Sequence, residues 1–343
     1  LIITRTPHRI SLAGGGSDLP AHYRAHGGAT LGFALAQYCW ISLRRLPPYF
    51  AHRHRIVWSR TELVREVDEI AHPAAREVLR AVGAPGQGYE LHHAGDIPHM
   101  SGMGSSSAFT VGLLNAAATL DGRRLSPEEL ASDAIHVEQA LIGEAVGSQD
   151  QVFAAFGGFN RLQFGATPEE IEAGFKPNII GIHPLEISPS RKVEILAHLM
   201  LVYTGTTRVA AEVEAVKIAR INENARGLAA LAAMVNDAEA ILTDPRCPVT
   251  ELGALLDAAW RVKRGLAPGV APAAVDALYG RARAAGAVGG KLLGAGGGGF
   301  FLLVVEPERR AAVKVALGDP IEVPVAVDRA GSTVVVDQPN GWK

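Results

Sequence analysis

The chain has 343 residues, 48% hydrophobic and 20% charged, which excludes a disordered polymer and supplies apolar surface for two cores. Lys and Arg number 33 against 35 Asp and Glu, so a formal net charge of −2 gives no general attraction to nucleic acid or to an anionic membrane. Its two cysteines, Cys39 and Cys247, form neither a disulfide framework nor a zinc-ligand spacing, and no stretch reaches the length of a membrane span or of a signal h-region. A reducing cytoplasm fits this composition, and a first residue other than Met leaves room for a short leader.

Leu1 to Thr6 is strand-like, Pro7 interrupts it, and Arg9, Ser11 and Ala13 then alternate with Ile10 and Leu12. Gly14, Gly15 and Gly16 end that segment. Consecutive glycines let a backbone approach a ligand, and Ser17 with Asp18 offers a hydroxyl and a carboxylate to sugar hydroxyls. The alternative is a turn in which Asp18 caps the next helix. Ala29 to Leu46 alternates as strands do, and Arg60 to Val82 reads as helix. Between them the cluster Arg44, Arg45, His52, Arg53, His54, Arg55 and Arg60 reads as a solvated surface, because a nucleic-acid groove extends its charge further and adds stacking aromatics.

Tyr89, Leu91 and His93 mark a strand that Pro98 stops. The following Ser101-Gly102-Met103-Gly104-Ser105-Ser106-Ser107 runs into an apolar stretch from Phe109 to Leu120, the pattern of a loop feeding a helix N-terminus. Backbone N–H groups and the positive helix end together attract phosphate, and serine hydroxyls suit the oxygen shell of Mg²⁺. No Gly-Lys-Ser or Gly-Lys-Thr ends this loop, so it is not a Walker A loop, and a plain N-cap with close packing of small residues is the other reading.

Ser126-Pro127-Glu128-Glu129 signals a capped helix with proline at its first position. Leu130, Ala134, Leu141, Ile142 and Ala145 form its apolar stripe, and Glu138 falls on it. An inward carboxylate needs a cation, a basic side chain or a proton, so Glu138 is a metal candidate ahead of Glu144, with a buried ion pair as the alternative. Gly147 is placed as the residue ending that helix, with Ser148-Gln149-Asp150-Gln151 as the following turn.

Residues 166–189 lack a firm period and are expected to hold a domain boundary. Ile195 to Tyr203 reads as a buried strand, and Thr204 to Arg208 as a small loop. Arg208 is there either to hold a distal phosphate on the substrate or as a surface residue. Ala210 to Leu242, Thr250 to Leu266 and Pro272 to Ala285 read as helices, with Trp260, Lys263 and Arg264 either lining a pocket or solvated. Gly294, Gly296 and Gly299 satisfy GxGxxG, yet Phe300 to Val305 after them is a strand, which contradicts a dinucleotide fingerprint. Pro307 to Leu317 and Ile321 to Val336 complete a second α+β layer.

Three of these stretches together, Thr6 to Asp18, Pro98 to Ala108 and Lys291 to Phe300, resemble the three motifs of the GHMP kinases, in that family's order. Within it the triple glycine before Ser17-Asp18, the Val146 to Gln151 segment and the Lys-Leu-Leu-Gly-Ala glycine run look most like the kinases of D-glycero-D-manno-heptose 7-phosphate. The resemblance implies an α+β, two-domain GHMP kinase fold, with a ribosomal protein S5 domain 2-like N-terminal domain over 1–185 and a ferredoxin-like C-terminal domain over 186–343. It implies an ATP- and Mg²⁺-dependent kinase in the cytoplasm, acting on a small-molecule sugar or sugar phosphate. The acceptor it implies is the heptose 7-phosphate, phosphorylated at its anomeric hydroxyl. Gly102, Gly104, Ser105, Ser106 and Ser107 would hold the nucleotide, Ser106 and Glu138 the metal, and Asp150 with Arg9 would carry catalysis. Gly15, Gly16, Ser17, Asp18, Arg208, Gly296 and Gly297 would meet the substrate. Rival readings are another sugar 1-kinase, of fucose type, and a non-catalytic nucleotide-binding relative. One departure is His99-Met100, where the family usually has Pro-Gly.

Overall fold

Strand β1 (Ile2–Ala13) is the spine of the first sheet in a computed structural model that describes residues 1–83, 86–99, 101–165, 178–205, 216 and 218–339. It pairs antiparallel with the long β2 (Gly28–Leu46) and runs on through Pro7, because the register against β2 shifts between Pro7 and His8 and so removes the need for a proline N–H. The short helix α1 (Pro20–His26) joins them. Beyond β2 the order continues through β5 (Gly88–Gly95), β3 (His54–Val57) and β4 (Thr61–Val64), while β6 (Phe159–Gly165) pairs with β2 and with β7 (Asn178–Pro184).

Helix α2 is shorter than the sequence pattern suggested. Residues 61–64 pair with β3 as a strand, and Pro73, fixed at the first helical position, delays the helix to Pro73–Val82. Helix α3 (Ser105–Leu120) crosses the face of the sheet with Ser107 to Leu120 all buried, as expected of a helix that is apolar all round. Helix α4 (Pro127–His136) opens on the expected capping box, Ser126 accepting from Glu129 N while the Glu129 carboxylate accepts from Ser126 N. Helix α5 (Gln149–Phe156) follows.

The second sheet has the order β11 (Glu322–Val323), β8 (Leu199–Tyr203), β10 (Phe300–Val304) and β9 (Gly289–Leu292), all antiparallel. Residues 195–198, expected as strand, finish helix α6 (Pro189–His198). Helices α7 (Ile221–Thr243), α8 (Thr250–Arg264), α9 (Ala273–Ala284) and α10 (Arg310–Ala316) complete this half. Its strands alternate as the pleat requires: Leu199, Leu201, Phe300, Leu302 and Val304 enter a core shared with Ile10, Leu12, Leu31 and Phe33 of the first sheet. Met200, Val202, Phe301 and Leu303 enter an outer core with Trp260 and Tyr279. The shared core locks the halves together, and β12 (Thr333–Asp337) returns to pair with β1, so the chain crosses back over the 185/186 division.

Arginines of the basic cluster meet carboxylates: Arg44 and Arg55 with Glu90, Arg45 with Asp121, Arg53 with Glu66, and Arg60 with Glu62. Among the described residues both cysteines are free, and no helix is long and apolar enough to cross a membrane.

Candidate active site

A cavity of about 460 Å³ lies where the two halves meet, lined from β1, the triple-glycine turn, the start of α3, the 138–150 segment, α7, α8 and the end of β9. The end of the cavity at the start of α3 is built by backbone geometry. Gly102 and Gly104 take φ of +79° and +75°, the left-handed region that costs other residues about 1–2 kcal/mol. Gly104 is the N-cap of α3 and supplies no side-chain cap, so the first-turn N–H groups of the helix are left to the cavity that Gly104, Ser105, Ser106 and Ser107 line. Aligned peptide dipoles add roughly half a positive charge there, and an anion is the natural partner.

Arg9 and Asp150 form a bidentate pair at this end. Arg9 Nε donates to Asp150 Oδ1 and Nη2 to Oδ2, both at 2.7 Å, while Nη1 donates to the Gly102 carbonyl at 2.6 Å. One guanidinium thereby ties β1, the glycine loop and the first turn of α5 into a single unit. Asp150 is in that first helical turn, not in a free turn before it, and keeps outward lone pairs towards the cavity. Gly104 has to be glycine for this pair as well, since a Cβ there would lie 3.2 Å from Asp150 Oδ2 and 3.3 Å from Arg9 Cγ.

Glu138 is fully buried and comes from a π-helical turn, Val137–Ile142, that widens the end of α4. The π turn ends at Gly143, with φ +77° and its N–H on the Glu138 carbonyl, so the expected helix end at Gly147 is four residues late. The extra residue in the turn rotates Leu141 out to 44% exposure and so breaks the 3.6-residue stripe. Gly147 is needed for another reason: a Cβ there would overlap the Asp18 carboxylate. Glu138 Oε2 accepts from Ser107 Oγ at 2.9 Å and Gln151 Nε2 at 2.5 Å, and Oε1 has no partner. Burial pushes this carboxyl up to about 7, a rise that the hydrogen bonds from Gln151 and Ser107 only partly offset. The hydroxyl that touches Glu138 is therefore that of Ser107. Ser106, expected beside it, is exposed one helical step away and lines the cavity. No buried ion pair satisfies Glu138 among the described residues, and an orphaned, buried Oε1 at a phosphate-attracting helix end fits a divalent cation.

At the opposite wall, Asp18 is buried, its Oδ1 accepting from Gly16 N at 2.8 Å and its Oδ2 from Gln149 N at 3.3 Å. It thus binds the triple-glycine turn to α5 while facing the cavity, and the N-cap of α1 is Leu19, with no side-chain cap. Gly15 and Gly16 line the cavity beside it. Ser17, expected to meet substrate, is fully buried and does not line the cavity: its Oγ lies 2.8 Å from both the Gly14 and the Ala29 carbonyls, shares its one proton between them, and accepts from Ala29 N, fixing the turn to β2.

The third glycine run meets the first half backbone to backbone. A Cβ at Gly294 would overlap Gly102, and one at Gly299 would overlap the Ser101 carbonyl, so this run buttresses the phosphate-binding loop. Gly294 and Ala295 line the cavity. Gly296 and Gly297, expected at the substrate, turn the other way: Gly296 abuts Val270, and Gly297 N donates to the Val270 carbonyl at 3.0 Å.

Of the three α8 residues read as either lining a pocket or solvated, Lys263 lines the cavity, and it is joined there by Lys291, which the sequence offered only as the first residue of the third glycine motif. Lys263 Nζ donates to the Leu292 carbonyl at 2.8 Å and to that of Gly294, and Lys291 Nζ donates to the Leu12 carbonyl at 3.0 Å. Both are buried and line the cavity. Burial, reinforced by Arg9 and opposed by Asp18, pushes the Lys291 ammonium down to about 7. Trp260 instead fills the outer core, and Arg264 pairs with Asp276 at the surface. Leu19, Ile221, Leu228, Leu231, Ala259 and Leu266 give the cavity an apolar wall. Arg208 and Met100 lie outside the described residues.

The sequence pattern of the GHMP kinases N terminal domain matches residues 68–158, and that of the GHMP kinases C terminal domain matches residues 248–321. With both domains in order, the two-sheet fold and the three motifs around one cavity, the chain belongs to the GHMP kinases. It is similar to the D-glycero-alpha-D-manno-heptose 7-phosphate kinase of Campylobacter jejuni, 27% identical over 326 residues that span 90% of this chain and 91% of that one. A mevalonate kinase of Pyrococcus horikoshii is 30% identical over 246 residues, 68% of this chain and 65% of that one. Among solved structures, a D-glycero-D-manno-heptose 1-phosphate kinase from Bacteriodes thetaiotaomicron shares the fold with a TM-score of 0.74 at 24% identity, covering 100% of this chain and 99% of that one.

Proposed function

We propose that this chain is an ATP-dependent, Mg²⁺-requiring sugar kinase whose acceptor is D-glycero-D-manno-heptose 7-phosphate, phosphorylated at the anomeric hydroxyl. The observation that carries the reading is the Arg9–Asp150 pair, held at the N-terminus of α3 in a cavity reached from both domains. The heptose assignment is supported by the Campylobacter jejuni relative, which matches over nine-tenths of this chain.

Phosphoryl transfer asks a protein mainly to align the acceptor oxygen and to stabilise charge on the moving group. Asp150 accepts the proton of the acceptor hydroxyl and orients its oxygen, while Arg9 fixes that carboxylate and turns its remaining N–H groups to the transferring group. The N–H groups of the α3 first turn, with Ser105 and Ser106, hold the triphosphate. Glu138, with a serine hydroxyl of the same turn, would hold Mg²⁺, which supplies charge neutralisation between the phosphates. Asp18, Gly15 and Gly16 face the acceptor, and Arg208 is the candidate for its distal phosphate.

A mevalonate-type acceptor is the second reading, favoured by the apolar wall of Leu228, Leu231 and Leu266 and by the Pyrococcus horikoshii relative. A panel of D-glycero-D-manno-heptose 7-phosphate, the corresponding 1-phosphate, fucose, galactose and mevalonate, each with ATP and Mg²⁺, separates these by phosphorus NMR of the products. A new anomeric phosphate signal with the heptose 7-phosphate is the expected result. Turnover of mevalonate alone would establish the second reading, and turnover of none would remove both.

A further inference from the structure

Two buried polar atoms of residues lining the cavity have no role in the transfer chemistry. Ser11 and Gln149 are 5% and 6% exposed, and Ser11 Oγ and Gln149 Oε1 have no hydrogen-bond partner among the described residues. Both border one point. A methyl group placed on Gly15 would sit 3.1 Å from Ser11 Oγ and 3.7 Å from Gln149 Nε2. Among the described residues outside Gly15 and its chain neighbours no other atom lies that close to this point, and all three residues line the cavity.

We propose that Ser11, Gly15 and Gln149 form a hydroxyl-reading subsite that selects polyol acceptors, next to the position of the reacting oxygen. The chain order sets that neighbourhood. Ser11 stands two residues beyond Arg9 on β1, hence on the same face of the strand about 7 Å away, and Gln149 directly precedes Asp150. The subsite is thus about one sugar-ring substituent from the Arg9–Asp150 pair.

The chemistry of the pair fixes the class of group it takes. A serine hydroxyl and a carboxamide each donate and accept, so together they satisfy a ligand hydroxyl, which does the same. A phosphate or carboxylate is a poorer match, because it only accepts, leaves the acceptor capacity of Ser11 Oγ and Gln149 Oε1 unused, and would stand near the Asp18 carboxylate that Gln149 N holds. A methyl or methylene would leave both buried groups unpaired, the arrangement by which a site rejects an analogue lacking a hydroxyl. Gly15 keeps the space open, and its φ lies outside the left-handed region, so the backbone accepts alanine there.

The inference rests on the kinase reading of this cavity, and its test separates the two. Binding of D-glycero-D-manno-heptose 7-phosphate and of its single-deoxy ring analogues is measured by calorimetry without nucleotide, for the native protein and for Ser11→Ala, Gln149→Leu and Gly15→Ala. Turnover with ATP is measured alongside, and circular dichroism melting confirms that each variant is folded. Gln149→Leu and Gly15→Ala are expected to weaken heptose binding about 10- to 100-fold and to raise the acceptor KM to match, with the ATP KM unchanged. One deoxy analogue, weakly bound by the native protein, should lose nothing further in Gln149→Leu. Polyol binding unaltered in both variants overturns the subsite, as does native turnover of mevalonate with a KM that none of the three changes. Polyol binding that depends on these residues, without transfer from ATP, upholds the subsite and removes the kinase reading.

Discussion

The two ends of the cavity are built on different principles. At the transfer end the groups are tied to one another: Arg9 spans Asp150 and Gly102, Gly104 is held in a left-handed conformation, and Ser107 and Gln151 grip Glu138. At the opposite end Leu19, Leu228, Leu231 and Leu266 form an apolar wall, Asp18 is the one polar side chain shown tied to backbone N–H groups, and Ser11 Oγ and Gln149 Oε1 have no partner among the described residues. A pre-tied constellation suits a reaction step common to many kinases, since preorganised charge needs no rearrangement as the reaction proceeds. An untied wall suits a choice among acceptors, because each unpaired group is satisfied by one kind of ligand and penalises others by about 1–3 kcal/mol. On the proposed reading, transfer and the choice of acceptor are thus served by separate walls of one cavity of about 460 Å³.

The contrast can be broken first at Glu138. Glu138→Ala should lower turnover about 100-fold at limiting Mg²⁺ and shift the Mg²⁺ requirement upward, read from initial rates across a Mg²⁺ titration. A flat titration would make Glu138 a structural residue. In the metal-free protein the same carboxyl gives a pH signature. Its value is raised from 4.5 to about 7 in the folded state, so the native protein holds a proton that the unfolded chain releases. The stabilisation is complete below 4.5 and is lost as pH rises through 7. Melting temperatures of metal-free protein should therefore fall between about pH 5 and pH 8, and the slope should flatten in Glu138→Gln.

A second break is at the seam that supports the transfer end. Gly294→Ala places a Cβ against Gly102 at a φ of +69°, so strain and overpacking together should cost about 2–4 kcal/mol. Chemical denaturation reads this directly, and the ATP KM should rise as the phosphate-binding loop shifts. The smallest effect is expected at the acceptor wall. Leu228→Ala opens space beside Gly16, whose added Cβ would lie 3.1 Å from the Leu228 side chain, and should raise the acceptor KM severalfold with kcat nearly unchanged. An equal loss in kcat would show that the wall also aligns the transfer step.

Sequence made the transfer end readable because its elements are local. A strand, two glycines, three serines and an apolar helix occur in one run, and the left-handed glycines and helix start they demand are present. Glu138 was legible as an inward carboxylate, yet the choice of Ser107 over Ser106 was not, because a π turn changes the helical phase without a mark in the hydrophobic pattern. Ser17, Gly296 and Gly297 were misplaced for a related reason. A glycine or serine in a turn shows that a backbone is constrained, and only tertiary structure tells whether ligand or protein imposes the constraint. Lys263 was legible as a pocket candidate from its helical spacing, whereas the place of Lys291 was hidden by distance along the chain, since the carbonyl it meets belongs to residue 12. The first sheet was mostly visible as alternation, whereas residues 61–64 read as helix because nothing local announced their strand partner, β3.

The central claim is that the Arg9–Asp150 pair is where phosphoryl transfer takes place, and Asp150→Asn tests it most directly. The measurement is turnover of the accepted sugar alongside ATP affinity by calorimetry in the same preparation. A loss of at least about 100-fold in kcat, with ATP affinity within about threefold of native, is expected. Native turnover in Asp150→Asn would contradict the claim and place the chemistry elsewhere in the cavity.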